Sequence, residues 1–120
     1  MNPQRLIAAR KARGITQQQL GEALGENQQN ADFAKMRIYR YERGIVVPPY
    51  DIVCELAEIL DIPECYLYIK DDLFAEQVLI LYKNKELRES LLTLLTDKIS
   101  KIEQYEQIFN TIKNTLSQLK

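Results

Sequence analysis

Two segments decide the fold of this chain: GITQQQLGEALG (residues 14–25) and, after a polar spacer, MRIYRYERG (residues 36–44). The first predicts a short helix, because Thr16 can cap it and Gln19, three residues later, can return a hydrogen bond to the backbone of the cap. Its apolar stripe consists of Leu20, Ala23 and Leu24. Gly25 is suited to end this helix. The second segment predicts another short helix, rich in arginine and tyrosine.

A further helix is predicted before this pair. Asn2 followed by Pro3 is a typical helix start, because the first helical position needs no amide hydrogen. The predicted helix runs from Pro3 to Arg13, stops at Gly14, and has Leu6, Ile7 and Ala9 as its apolar residues.

Two more elements are predicted after the pair. The chain breaks at Pro48-Pro49-Tyr50-Asp51, and an amphipathic helix then continues until Asp61-Ile62-Pro63 ends it. A short turn from Glu64 to Ile69 follows. The apolar residues of these elements are Ile52, Val53, Leu56, Ala57, Ile59, Leu60, Tyr66, Leu67 and Ile69. The fold class predicted for this region is therefore all-α, with a core of five helices.

Two short helices in this order, the second loaded with basic side chains, are typical of a helix-turn-helix motif. Residues 5–69 resemble the Cro and phage-repressor type of helix-turn-helix family, also called the xenobiotic-response-element type. The residues that carry the resemblance are Thr16-Gln17-Gln18-Gln19-Leu20, Leu24-Gly25, Ile38, Arg40-Tyr41-Glu42-Arg43-Gly44, Pro48, Leu56-Ala57 and Leu60-Asp61-Ile62-Pro63. The resemblance implies a lambda-repressor-like fold, DNA binding and a structural ion pair between Arg10 and Glu42.

The chain departs from the family pattern at one place. The segment from Glu26 to Asp32 lies between the two short helices, where family members have a tight turn, and the matching positions resume near Phe33. Because the inserted residues are polar, a longer exposed turn or an extra helical turn is expected rather than new core.

The second short helix carries the candidate base contacts. The resemblance implies that Lys35, Met36 and Arg40 occupy positions that face base edges. Arg and Lys suit guanine O6 and N7, and Met36 suits a thymine methyl group. The predicted base-contact set is Lys35, Met36, Arg37, Tyr39 and Arg40; the alternative is a basic face that only contacts water. Ile38 and Tyr41 are assigned to the core.

Phosphate contacts are predicted beside that helix. Thr16 and Gln17 open the first short helix, and the free amides of a helix N terminus are a natural site for a DNA phosphate. Gln17 is therefore expected to position the protein rather than to distinguish bases. For Arg43, phosphate contact and plain solvation are equally compatible with the sequence.

The distribution of charge supports a nucleic-acid ligand better than its total does. The formal net charge is −1, which by itself argues against such a ligand. Residues 1–50, however, hold eight basic and four acidic side chains, a net charge of +4, so the remainder carries −5. We expect the basic half to face DNA and the acidic half to face away from it.

Nothing in the sequence indicates catalysis, a cofactor or a metal. The chain has no histidine, no glycine-rich phosphate loop and no nucleophile–base pair, so no enzyme, catalytic residue or cofactor is expected. Cys54 and Cys65 are too few for a zinc site and are expected to be reduced, in or near the core. Without a signal peptide or a membrane-length apolar run, the protein is expected in the cytoplasm.

Residues 71–120 predict long helices, because glycine is absent after residue 44 and proline after residue 63. One helix is predicted from Leu73 to Tyr82, with Asn84 as a break. A heptad seam follows at alternating spacings of four and three residues, and Lys98 is its only polar member. Its apolar members, the predicted dimerisation residues, are Leu91, Leu95, Ile102, Tyr105, Phe109, Ile112, Leu116 and Leu119.

If this last helix is continuous, it is about 50 Å long at ~1.5 Å per residue, and its stripe needs a partner. We therefore predict two regions: residues 1–70, which bind DNA, and residues 71–120, which dimerise by coiled coil or bundle. The alternative is that Thr96 or Ser100 caps a new helix and the pieces fold back on their own domain. Additional apolar residues at Leu92, Leu94, Ile99 and Ile108 widen the stripe and leave this alternative open.

These features predict a sequence-specific transcriptional regulator, a repressor, that binds an inverted repeat in double-stranded DNA as a homodimer. A second class stays open: an antitoxin or a protein-binding adaptor that uses its C-terminal helices. Its partner would be a toxin or an antirepressor. No membrane partner is expected.

Overall fold

The computed structural model describes residues 1–25 and 30–119, and these form six α-helices and one 3₁₀ turn. The helices are α1 (Pro3–Arg13), α2 (Gln17–Ala23), α3 (Ala31–Glu42), α4 (Tyr50–Leu60), α5 (Asp72–Lys83) and α6 (Lys85–Gln118). The 3₁₀ turn (Glu64–Leu67) lies between α4 and α5 in the chain. The all-α prediction is confirmed. Contacts divide the chain into two compact units, Met1–Lys83 and Asn84–Lys120.

Local hydrogen bonds set the ends of the first two helices. The Asn2 side chain accepts a hydrogen bond from the backbone amide of Gln4, and Gly14 ends α1 in the left-handed conformation, with φ of 73°. At α2 the Thr16 hydroxyl accepts from the amide of Gln19 at 3.0 Å, and the Gln19 side chain accepts from the amide of Thr16 at 2.8 Å. The predicted capping box is confirmed.

The predicted insertion is described only in part, since residues 26–29 lie outside the described residues. At its end, Asn30 caps α3 by accepting a hydrogen bond from the amide of Asp32 at 2.8 Å. Helix α3 therefore begins at Ala31, two residues before Phe33, where the family resemblance resumes.

The core of the first unit draws side chains from all five of its helices and from the 3₁₀ turn. Its buried apolar members are Leu6, Ala9, Leu20, Ile38, Tyr41, Val53, Leu56, Ala57, Leu60, Ile62, Tyr66, Leu67 and Ala75. The assignment of Ile38 and Tyr41 to the core is confirmed. Both cysteines are free, but only Cys54 is half-buried; Cys65 is exposed, because the 3₁₀ turn directs Tyr66 and Leu67 inward instead.

A close helix contact fixes the spacing of α2 and α3. A Cβ atom placed on Gly21 would lie 2.2 Å from the carbonyl oxygen of Ala34, a distance that no side chain could tolerate. The absence of a side chain at Gly21 thus allows the two backbones to approach, and Ala34 itself is fully buried.

Arg5 joins α1 to the start of α5. Its Nε donates to the carbonyl of Ile69 at 2.8 Å, and its Nη2 donates to Asp72 Oδ1 at 2.8 Å. The guanidinium also lies over the ring of Tyr66, 5.4 Å from the centroid. Since Arg5 is buried, this basic residue stabilises the fold and does not belong to the basic surface.

Helix α6 is continuous over 34 residues, and none of its residues is buried. It begins after Asn84, whose side chain accepts a hydrogen bond from the amide of Leu87, so the predicted break at Asn84 is confirmed. The alternative break near Thr96 or Ser100 is wrong: Thr96 donates its hydroxyl to the carbonyl of Leu92 within an unbroken helix and does not cap a new one.

Candidate nucleic-acid interface

Helix α3 separates its side chains into a core face and an outward face. Ala34, Ile38 and Tyr41 are buried. The opposite face carries Lys35, Met36, Tyr39 and Arg40, all exposed, with Met36 at 46% and Tyr39 at 39%. Four of the five predicted base-contacting residues therefore share the exposed part of this helix.

The fifth, Arg37, is half-buried and differently engaged. Its Nε donates to the Tyr41 hydroxyl at 3.2 Å, and its guanidinium lies 6.0 Å from the centroid of the Tyr41 ring. Just beyond the last residue of α3, the guanidinium of Arg43 lies 5.9 Å from the centroid of the Tyr39 ring. These contacts orient two of the cations along the helix.

A buried network joins α1, α2 and α3 below this face. Glu42 accepts from Arg10 Nε at 2.5 Å and from Arg10 Nη2 at 3.4 Å, so the implied ion pair is confirmed. The Gln17 side-chain amide donates to the same carboxylate, while Arg10 Nη1 donates to the carbonyl of Ile15 at 3.0 Å. One carboxylate thus fixes the start of α2 relative to the end of α3.

The start of α2 and the side of α3 meet at an open groove. It is lined by Arg10, Gly14, Ile15, Thr16, Gln17, Gln18 and Lys35. The groove brings the predicted phosphate contacts Thr16 and Gln17 together with Lys35, one of the predicted base contacts. The carboxamide nitrogen of Gln17 carries two hydrogens, and the hydrogen bond to Glu42 uses one of them.

Sequence reasoning missed the roles of two residues, Phe33 on this surface and Arg5 in the interior of the first unit. Phe33 is 71% exposed in the first turns of α3, and it precedes Met36 by three residues and Arg40 by seven, a spacing that places all three on one helix face. Since such an aromatic residue is costly to leave in water, its position beside the basic residues of the second short helix was a usable signal. Arg5 was missed because its partners are 64 to 67 residues away in the chain.

Two groups on or next to α4 have shifted pKa values. A hydrogen bond with the Cys54 thiol raises the pKa of Tyr50. A hydrogen bond and attraction from the Lys83 ammonium lower the pKa of Asp61 below its ordinary value of 3.8. Asp61 ends α4 with φ of 54°, and its contact with Lys83 joins α4 to α5.

Residues 1–25 and 30–119 contain no cluster of three or more His, Cys, Asp or Glu side chains placed to hold a metal ion. None of the helices in the same two ranges combines the length and apolar character of a membrane span.

Comparison with known proteins agrees with the geometry. The model of the helix-turn-helix family HTH_3 matches residues 6–67. The crystal structure of transcriptional regulator BswR superposes with a TM-score of 0.72 at 32% sequence identity, covering 82% of this chain and 94% of that one. No curated protein sequence matches the chain significantly.

Proposed function

Because this chain belongs to the Cro and phage-repressor type of helix-turn-helix family, whose members are DNA-binding transcriptional regulators and not enzymes, we propose that it is a repressor acting as a homodimer. The observation that carries the proposal is the exposed face of α3, where Met36 and Arg40 project beside the groove that Lys35 and Thr16 line. DNA as the ligand implies a cytoplasmic location.

The base contacts are proposed on α3. Arg40 binds guanine O6 and N7 through its planar fork, and Lys35 reaches the same type of edge from the side of α2. Met36 and Phe33 provide apolar contacts for thymine methyl groups, which their exposure supports. Tyr39 and Arg37 complete the set, with Arg37 limited by its contact with Tyr41.

The phosphate contacts are proposed at the start of α2, which lines the groove, and just beyond the end of α3. The backbone amides at the start of α2, next to Thr16, and the second amide hydrogen of Gln17 donate to one phosphate. Arg43, oriented by the Tyr39 ring, donates to another. These groups position the helix and do not distinguish sequences.

The homodimer is proposed to form through α6. Its large apolar side chains are between 38% and 67% exposed over 34 residues, an apolar surface that a monomer would rarely keep. A two-fold dimer presents two copies of α3, so the operator is an inverted repeat with half-sites about one helical turn, ~34 Å, apart.

The test begins with selection of bound fragments from random DNA, followed by footprinting of the selected site. An inverted repeat is expected, and a single asymmetric half-site bound by a monomer would contradict the proposal. Arg40→Ala should then weaken the selected site by about 1–3 kcal/mol and leave random DNA nearly unaffected.

Gln17→Ala serves as the matched comparison, because a phosphate contact should be lost on every sequence alike. Since Gln17 also donates to Glu42, unfolding of this variant is measured in parallel. Equal losses on selected and random DNA for both variants would remove the distinction between base and phosphate contacts.

A further inference from the structure

The apolar seam of α6 is exposed, and the residues beside the seam indicate how a second copy of the helix would cover it. No residue of the 34 in α6 is buried, although the heptad seam runs along most of its length. We propose that two copies of α6 pair in parallel and in register, with Lys101 of each chain facing Glu106 of the partner subunit. This inference rests on the proposed homodimer and specifies its geometry.

The residues that flank the seam carry the argument. The seam alternates between two kinds of position, and Leu95, Ile102, Phe109 and Leu116 are of one kind. In a parallel pair, the residue just before a position of this kind faces the residue five places later on the other chain. Leu87 then faces Leu92 of the partner subunit, and Leu94 faces Ile99 of the partner subunit. Lys101 faces Glu106 of the partner subunit, an opposite charge. Ile108, however, faces Lys113 of the partner subunit, so three of these four flank pairs are matched and one is not.

The antiparallel pair that overlaps the whole seam gives the opposite result. There Leu92 would face Lys113 of the partner subunit, and Ile99 would face Glu106 of the partner subunit. Lys101 would face Ile108 of the partner subunit. Each of these contacts sets a charged group against an apolar side chain, which desolvates the charge without a partner. The parallel pair has one such mismatch, Ile108 with Lys113 of the partner subunit, against three in the antiparallel pair, and is therefore favoured.

Besides the contact of Ile108 with Lys113 of the partner subunit, one residue of the seam opposes the parallel pair. Lys98 occupies the seam, so two lysines would share a layer. The long aliphatic stem of lysine lets each ammonium reach water beside the seam, which limits the repulsion. A single polar residue in a seam costs stability and restricts register. Because one seam layer and one flank pair are affected, whereas three flank pairs are mismatched in the antiparallel pair, the parallel arrangement retains the advantage.

The proposed DNA binding agrees with this orientation. In a parallel pair the two Asn84 residues, where α6 joins the DNA-binding unit, lie at the same end. In the antiparallel pair they would lie about 50 Å apart, since 34 residues rise by ~1.5 Å each. Adjacent half-sites are only ~34 Å apart, so attachment at one end suits them better.

Charge reversal in the full-length chain tests the pairing. Lys101→Glu and Glu106→Lys, each alone, should raise the dimer dissociation constant about tenfold in sedimentation equilibrium, because each creates two like-charge contacts. The double variant should recover native affinity. An equimolar mixture of the two single variants should form the heterodimer preferentially, since both of its contacts are then attractive. Glu103→Lys, a reversal away from the seam, is the matched control.

Each outcome decides the question. Recovery in the double variant together with the preferred heterodimer supports the parallel pair. Single variants that dimerise as the native chain does, a mixture without heterodimer preference, or a four-chain native assembly would overturn it while leaving DNA binding intact. A native chain that stays monomeric would instead refute the homodimer of the proposed function.

Discussion

Replacing Glu42 by Gln tests whether the arrangement of α1, α2 and α3 depends on one carboxylate. Glu42 has a side chain only 4% exposed, and it accepts hydrogen bonds from Arg10 and Gln17. Gln preserves the size of the side chain but removes its charge. The guanidinium of Arg10, whose side chain is 13% exposed, would then remain largely buried without a counter-ion.

The expected cost follows from these contacts. Removing one partner of a buried ion pair costs about 3–5 kcal/mol. The amide oxygen of Gln can still accept one hydrogen bond, worth about 1 kcal/mol, so we expect Glu42→Gln to lower the free energy of unfolding by about 2–4 kcal/mol. For a folding unit of this size, that loss corresponds to a decrease in Tm of about 10–30 °C.

Urea and thermal unfolding followed by circular dichroism measure this loss. The control is the double variant Arg10→Met, Glu42→Leu, which removes both charges and leaves no buried ion unpaired, so its loss should be clearly smaller than that of Glu42→Gln. A single variant that loses less than about 1 kcal/mol, or a double variant that loses more than the single one, would refute the reasoning.

Three further predictions concern other parts of the chain. Gly21→Ala should destabilise by about 1–3 kcal/mol in urea unfolding, because the new methyl group meets the carbonyl of Ala34; an unchanged midpoint would contradict the close approach. Truncation after Asp97 should give a folded monomer whose operator affinity falls at least about 100-fold, and a dimer of native affinity would place the interface elsewhere. Lys83 lowers the pKa of Asp61 in the folded protein. Their contact therefore stabilises the folded protein fully at pH values above the pKa of Asp61 in the unfolded chain, and this stabilisation is lost as pH falls through the lower pKa of the folded protein. Asp61→Asn should therefore lower Tm at neutral pH and not near pH ~2, and an equal effect at both would argue against the pair.

The helix ends that the sequence predicted correctly depend on hydrogen bonds between residues close together in the chain. The capping box joins Thr16 to Gln19, and the cap at Asn84 binds an amide three residues later. Such bonds form whenever the local backbone turns into a helix, so residue types at short spacing are sufficient to predict them. The continuity of α6 differs from these cases: the absence of Gly and Pro favours a long helix, but the sequence left a break at Thr96 or Ser100 open, and the structure excluded it.

The sequence by itself therefore determined the helix caps, the core assignment of Ile38 and the place of α3 in the chain. Only the tertiary structure decided which distant groups meet: Gln17 with Glu42 across 25 residues, and Arg5 with Asp72 across 67. Their polar groups have many candidate partners in the chain, and only the packing of the helices brings one pair within hydrogen-bonding distance. The same packing exposes Phe33, because the core lies on the opposite side of α3.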